Sequence, residues 1–294
     1  MADTAASSPL CVVVGAGTKY ASNAAYFGDN PSEDLPADVR WGLGGALPIA
    51  FAQAGYRVVS MSRAEKNLAP ITAHINNELE GDAISVECDV ADRASVAAAF
   101  AAVRERWGAI DVLCFNAGFA QSTTDARVGN PMGGQLMEDI DLESFDQAYA
   151  VHASGLLACV KEVLPSMRER GTGSVLVTGN TMSLRGGAKF GVNAPSKFAQ
   201  RAMTQVMAQE YKPLGVHVAH VIVDGALDAP GIREMFKARG NEAALERDAA
   251  LPGTRLLRPA DVADTFVYLA QQPRSVWTHE ITLTPSEVTL GQRL

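Results

Sequence analysis

The stretch Leu10-Cys11-Val12-Val13-Val14-Gly15-Ala16-Gly17, read with Gly42-Leu43-Gly44-Gly45 and the apolar run Ala46–Ala54, decides the fold. Leu10–Val14 is a short, β-branched apolar run of the kind that is buried on both faces of a parallel sheet. A glycine turn follows it, and a helix opens at the second glycine group. Strand, turn and helix together make a phosphate cradle: glycines let the backbone approach a pyrophosphate, and free N–H groups at the helix start face the anion. Thr18–Trp41 stands between the two glycine groups, where a dinucleotide fold normally spends a few residues. A glycine-rich turn alone is often only a turn, so the rest of the chain carries the weight.

Downstream, strands are expected at Arg57–Met61, Ile84–Cys88, Ile110–Phe115, Ser174–Thr178, His217–Val223 and Ile281–Leu283. Helices are expected over Ser95–Trp107, from Leu142 to Met167, from Pro195 to Lys212 and from Pro259 onward. This alternation predicts an α/β fold: one Rossmann-type, doubly wound parallel sheet of about seven strands with helices on both faces. Ligands of such sheets sit beyond the carboxyl ends of the strands. Gly15, Ser62, Asp89, Asn116, Thr178 and Asp224 each fall at or just past a strand end. The whole of residues 1–294 reads as one domain, with a disordered lead at 1–9, an insertion at 18–41 and a substrate-side insertion at 224–254.

The chain has 294 residues, 47% of them hydrophobic, and a net charge of −8, which argues against nucleic acid or an anionic membrane as its main partner. No apolar run approaches the roughly 20 residues that span a bilayer. Met1–Pro9 lacks the basic and apolar parts of a signal peptide, so a cytoplasmic protein is expected. Cys11, Cys88, Cys114 and Cys159 are scattered without metal-ligand spacing and read as buried free thiols. No metal is expected.

Gly15-Ala16-Gly17 with Gly42-Leu43-Gly44, then Asp89-Val90, Asn116-Ala117-Gly118, Lys197 and Arg258-Pro259-Ala260-Asp261-Val262-Ala263 occur in order over nearly the whole length. In this set the chain resembles the short-chain dehydrogenase/reductase family. The resemblance implies that Asp89 accepts from the adenine amino group and Val90 packs on its ring. It implies that Asn116, Ala117 and Gly118 pass close to the cofactor, and that Gly225 lies beside the nicotinamide. The end of the second strand selects the cofactor. An NAD enzyme carries a carboxylate there for the ribose hydroxyls, whereas this chain has Ser62-Arg63. A hydroxyl and a guanidinium suit a 2′-phosphate, which favours NADP(H) over NAD(H). Lys19 would be a second phosphate contact.

The pattern breaks at the catalytic positions. The family resemblance implies Tyr-x-x-x-Lys, a Ser thirteen positions before the Tyr, and an Asn on the preceding long helix. Lys197 is present, but Asn193 stands at the Tyr position, Asn180 at the Ser position and His152 at the Asn position. Asp224-Gly225 replaces Pro-Gly, and Ala229 stands where a Thr is usual. An amide has no proton to release near neutral pH, and losing a positioned acid typically forfeits roughly 10²–10⁴ in rate. The expectation is an atypical NADP(H)-dependent oxidoreductase acting on a small carbonyl, imine or conjugated substrate through a rebuilt proton path. His152, Asp224 or Lys197 would carry that path. A non-redox lyase, isomerase or cyclase on the same scaffold, and a catalytically silent NADP-binding protein, stay open.

The insertion holds Tyr20, Tyr26 and Phe27, with Lys19 and Arg40 set against Asp29, Glu33, Asp34 and Asp38; most of it is expected to fold outward. Ser183, Leu184, Phe190, Leu227 and Met235 are expected to face the pocket. Ala148, Ala153, Leu157 and Val160 are expected to form an apolar stripe for a homodimer or homotetramer.

Overall fold

The computed structural model describes residues 8–17, 37–119, 135–230, 232–233, 240, 243, 246 and 255–287. Lys19, Tyr20, Tyr26, Phe27 and Met235 lie outside the described residues. Seven parallel strands form one sheet in the order β3-β2-β1-β4-β5-β6-β7. They are β1 (Leu10–Val14), β2 (Arg57–Ser62), β3 (Ala83–Glu87), β4 (Val112–Phe115), β5 (Ser174–Asn180), β6 (His217–Val223) and β7 (Glu280–Leu283). The chain winds outward from β1 to β3, returns to β4, and winds the other way. The switch between β1 and β4 opens a crevice at their carboxyl ends.

Alternation along β1 assigns its two faces. Leu10, Val12 and Val14 pack with α4 (Arg93–Trp107) and α6 (Gly155–Arg170). Cys11 and Val13 pack with α2 (Gly42–Gln53) and α8 (Pro259–Ala270). Every β1 residue is buried, which a strand covered by helices on both sides requires. Local signals set the helix ends: the Asp92 carboxylate accepts from the Ala94 N–H at the start of α4, and Gly171, at φ +64°, stops α6. All four cysteines are free and buried. Burial pushes the Cys88 thiol up to about 11 and raises Cys11 and Cys159 as well.

The structure departs from the sequence expectations in four places. A helix, α3 (Ala69–Glu78), precedes β3; it buries only Ile71 and Ile75, one turn apart, which is too sparse an apolar pattern to read. β5 runs on to Asn180 because Gly179 and Asn180 pair with Ile222 and Val223. Ala37–Arg40, at the end of the inserted segment, forms a helical turn, α1, that was not expected, with Val39 buried and Trp41 filling the space beside Gly45; the outward fold expected of most of the insertion lies outside the described residues. The long helix from Leu142 is three pieces, α5 (Leu142–Tyr149), a π-turn (Ala150–Ser154) and α6. The extra residue of a π-turn shifts the helix phase. It leaves Ala148 and Val160 in the core and Leu157 exposed, so they share no single surface stripe.

Because all four thiols are buried, a small disulfide reagent at pH 8 is expected to modify none of them in the native protein and all four after unfolding in guanidinium. Rapid labelling of native Cys88 or Cys159 would contradict the packing.

Candidate active site

The crevice floor is backbone. Gly15, at φ +81°, lies so close to Ala117 that a Cβ on it would strike the Ala117 N–H. The Gly15 and Ala16 N–H groups both donate to the Met61 carbonyl, at 2.9 and 3.0 Å, and Asn116 Nδ2 donates to the Gly15 carbonyl at 3.0 Å. Gly17, at φ +104°, donates its N–H to the Gly44 carbonyl at 3.1 Å. A Cβ on Gly44 would stand 2.6 Å from the Gly17 carbonyl oxygen. Gly42, at φ +56°, opens α2 one residue after α1 ends, and Leu43 beside it is buried. The two glycine groups therefore meet in space although Thr18–Trp41 separates them in sequence.

On the β2–β3 side, Ser62 Oγ donates to the Ala64 carbonyl at 3.3 Å, and Arg63 is exposed with no hydrogen bond or ion pair among the described residues. Asp89 donates its N–H to Ser95 Oγ and accepts the Ala91 N–H on Oδ1, each at 3.0 Å. Val90 is buried, against the Cα of Gly155. Gly118 is exposed at the end of β4.

On the other side, α7 (Asn193–Tyr211) carries Asn193 and Lys197 one turn apart on the same face. Lys197 Nζ donates to the Thr178 carbonyl at 3.2 Å and to Gln200 Oε1 at 2.9 Å. His152, 1% exposed within the π-turn, accepts the Phe119 N–H on Nε2 at 3.1 Å. Nδ1 of the same ring is 2.9 Å from Ser196 Oγ, and that hydroxyl lies 3.0 Å from the Asn193 carbonyl. A backbone N–H can only donate, so Nε2 is the acceptor and the ring is the neutral Nδ1–H tautomer. Gln200 Nε2 donates to the His152 carbonyl at 3.4 Å. His152, Ser196, Asn193, Gln200 and Lys197 thus form one buried polar cluster, in which Asn193 Oδ1 has no partner among the described residues.

Asn180 and Asp224 are held separately. Asn180 caps the turn Thr181–Ser183, accepting the Met182 N–H on Oδ1 and donating its own N–H to Ser183 Oγ. Asp224, nearly buried, accepts Thr181 Oγ1 at 2.8 Å and both Arg185 Nη groups at 2.7 and 3.2 Å. Gly225 follows, with Pro285 against its Cα. Of the residues expected to face the pocket, Ser183 is fully buried beneath Asn180, because its hydroxyl is used inside that cap, and Leu227 is half-buried and packs against the core. Leu184 is half-buried, and Phe190 lines an apolar groove of about 490 Å³ with Met137 and Phe198.

Ser196, Gln200 and Thr204 were not singled out in the sequence, yet with Asn193 and Lys197 they make a buried polar stripe along α7. The signal was present: polar residues recur at helical spacing on the face that should be apolar. A second buried group was also missed. His220 is wholly buried, with Nδ1 3.4 Å from Glu280 Oε2, while Glu280 takes two bonds from Arg201 at 2.6 and 2.7 Å. Burial, against the pull of Glu280, pushes His220 down to about 4. Burial works against the Glu280 carboxylate, and its Arg201 and His220 bonds hold it below the usual range. Among the described residues, no group of three or more His, Cys, Asp or Glu side chains could hold a metal, and no helix is long and apolar enough to cross a membrane.

This is a doubly wound dinucleotide-type sheet with its glycine turns and polar residues gathered at the strand ends. A family model described as enoyl-(acyl carrier protein) reductase matches residues 38–284. The chain is 31% identical over 248 residues to an uncharacterized oxidoreductase, YxbG, of Bacillus subtilis, covering 81% of this chain and 84% of that one. It is 25% identical over 253 residues to dehydrogenase/reductase SDR family member 11 of Homo sapiens, covering 84% and 91%. A variant of actinorhodin polyketide ketoreductase with NADPH superposes with a TM-score of 0.75 at 24% identity, over 95% of this chain and 97% of that one. The chain belongs to the short-chain dehydrogenase/reductase family.

His220 protonates near 6.5 when exposed and only near 4 in the native chain, so the native state binds fewer protons in between. Stability is therefore full above about pH 6.5 and falls on acidification, by about 2 kcal/mol between pH 7.5 and pH 5. In urea titrations, His220→Asn is expected to flatten that slope; an unchanged slope would contradict the assignment.

Proposed function

We propose that the protein is an NADP(H)-dependent oxidoreductase of the short-chain dehydrogenase/reductase type, acting on a small carbonyl, imine or conjugated substrate. The observation that carries the reading is the closed glycine cradle at the β1–β4 switch, with Lys197 held at the carboxyl end of β5 in the same sheet. The cradle suits the cofactor, because backbone approaches where a Cβ would clash, as contact with a pyrophosphate requires. Gly15, Gly17, Gly42, Leu43 and Gly44 would hold the pyrophosphate, Ser62 and Arg63 the 2′-phosphate, and Asp89 the adenine amino group. Val90, Asn116, Ala117, Gly118 and Gly225 would line the rest of the cofactor's path. The Arg63 guanidinium, exposed and without a partner among the described residues, supports NADP(H) over NAD(H). The NADP-containing family structures among its fold relatives are consistent with this.

The cofactor supplies or accepts a hydride when bound; the chain's own task is to place the substrate and move the proton. Asn193 and Asn180, at the Tyr and Ser positions, would hydrogen-bond the substrate oxygen or nitrogen. An amide cannot release a proton, whereas an ammonium can. Both His152 nitrogens are already engaged and Asp224 is clamped by Arg185. Lys197, whose Nζ is itself held by the Thr178 carbonyl and Gln200 Oε1, would give the proton in reduction through water and take it back in oxidation. Leu142, Leu157 and Val206, exposed on α5, α6 and α7, support a homodimer or homotetramer. A catalytically silent NADP-binding protein is the second reading. What favours it is that His152 and Asp224 are both satisfied within the protein.

Wild type is expected to bind NADPH at least tenfold more tightly than NADH, and Arg63→Ala to erase that preference; an unchanged ratio would remove the 2′-phosphate assignment. Lys197→Met is expected to lower turnover by roughly 10²–10⁴, with NADPH affinity reduced far less. A product differing from substrate by two hydrogens supports redox chemistry. An isomeric or cleaved product, or no turnover on carbonyl, imine and alcohol panels, would defeat it.

A further inference from the structure

We propose that Pro48 is a positioning residue for the cofactor: it turns the Gly44 carbonyl out of the α2 ladder and onto the Gly17 N–H, and that bond closes the interrupted cradle. The inference deepens the proposed cofactor binding and rests on it. Pro48 lies inside α2. Proline has no N–H, and its ring crowds the carbonyl four residues back; here that carbonyl belongs to Gly44. A carbonyl released in this way inside a buried helix needs a donor from elsewhere. The Gly17 N–H supplies it at 3.1 Å.

The surroundings fit this one partner. Gly17, at φ +104°, adopts backbone that L side chains rarely take, and a Cβ on Gly44 would stand 2.6 Å from the Gly17 oxygen and 3.0 Å from the Gly15 oxygen. Pro48 is itself buried between Leu47 and Ala50, so its ring is part of the packed helix and not a surface kink. Within α2 the proline is a loss, since alanine is a far better helix former. The compensation lies at Gly17. When a few residues join turn to helix, the covalent chain keeps them together. When Thr18–Trp41 joins them, the entropic cost of closing the loop rises with length, and a non-covalent tie must hold the turn in register with the helix start.

Pro48→Ala gives residue 48 an N–H that draws the Gly44 carbonyl back into the helix. The variant is expected to melt at or above the temperature of the cofactor-free wild type. Its Gly17 amide should exchange with solvent at least tenfold faster, and NADPH should bind about five- to tenfold more weakly. Gly44→Ala, which keeps the proline but pushes the turn away sterically, should show the same two losses. Unchanged Gly17 exchange in Pro48→Ala would overturn the clasp. Faster exchange with unchanged NADPH affinity would overturn its role in cofactor binding. Exchange is read without cofactor, so a wild type that does not bind NADPH contradicts the proposed function while leaving the clasp itself to be judged.

Discussion

The structure depends on backbone meeting backbone at the end of β1. Gly15 lies against Ala117, and Gly17 against Gly44, with no side chain between them. These contacts join the first βα unit to β4, and so set the crevice where the two halves of the sheet diverge. A Cβ at Gly15 or Gly44 would collide with main chain, which cannot swing aside as a flexible side chain can. The remaining architecture serves that closeness: the Met61 carbonyl ties down two N–H groups of the turn, and the Asn116 amide ties its carbonyl.

The far side of the crevice is built differently. Where relatives of this fold class can spend a phenol, this chain places amides and a neutral imidazole and satisfies most of them internally. His152 bridges a backbone N–H and Ser196, and the Asp224 charge is matched by Arg185 across the turn that Asn180 caps. Buried polar groups in such a cluster stay ordered because each lost partner would leave a desolvated atom behind. Among the described residues, Asn193 Oδ1, Thr178 Oγ1 and Arg185 Nε are the exceptions, buried atoms without a partner. Under the proposed function, chemistry in this half of the site would centre on Lys197 and on what Asn193 can hydrogen-bond.

Much of the fold was legible because parallel strands buried on both faces leave continuous apolar runs. His217–Val223 matches the structure at both ends. The α3 helix was not legible, since two isoleucines are too few to set a period. Nor was the π-turn, because one extra residue inside a helix leaves no compositional trace, and its phase shift undid the stripe expected from Ala148 to Val160. The positions of Lys197, Asn193 and Asn180 followed from family spacing. Their partners did not: Ser196 and Gln200 lie on the same helix face as Lys197, whereas Arg185 reaches Asp224 only through the turn after β5. The His220–Glu280–Arg201 group joins β6, β7 and α7, and only the folded sheet brings those three together.

Under the proposed function, the cradle interrupted by Thr18–Trp41 still grips a dinucleotide by its diphosphate. Phosphorus NMR of NADPH titrated with the protein tests it directly. The diphosphate resonances are expected to shift or broaden together with the 2′-phosphate signal, at the same protein concentration. Diphosphate resonances that stay sharp and unmoved at saturating protein would contradict it.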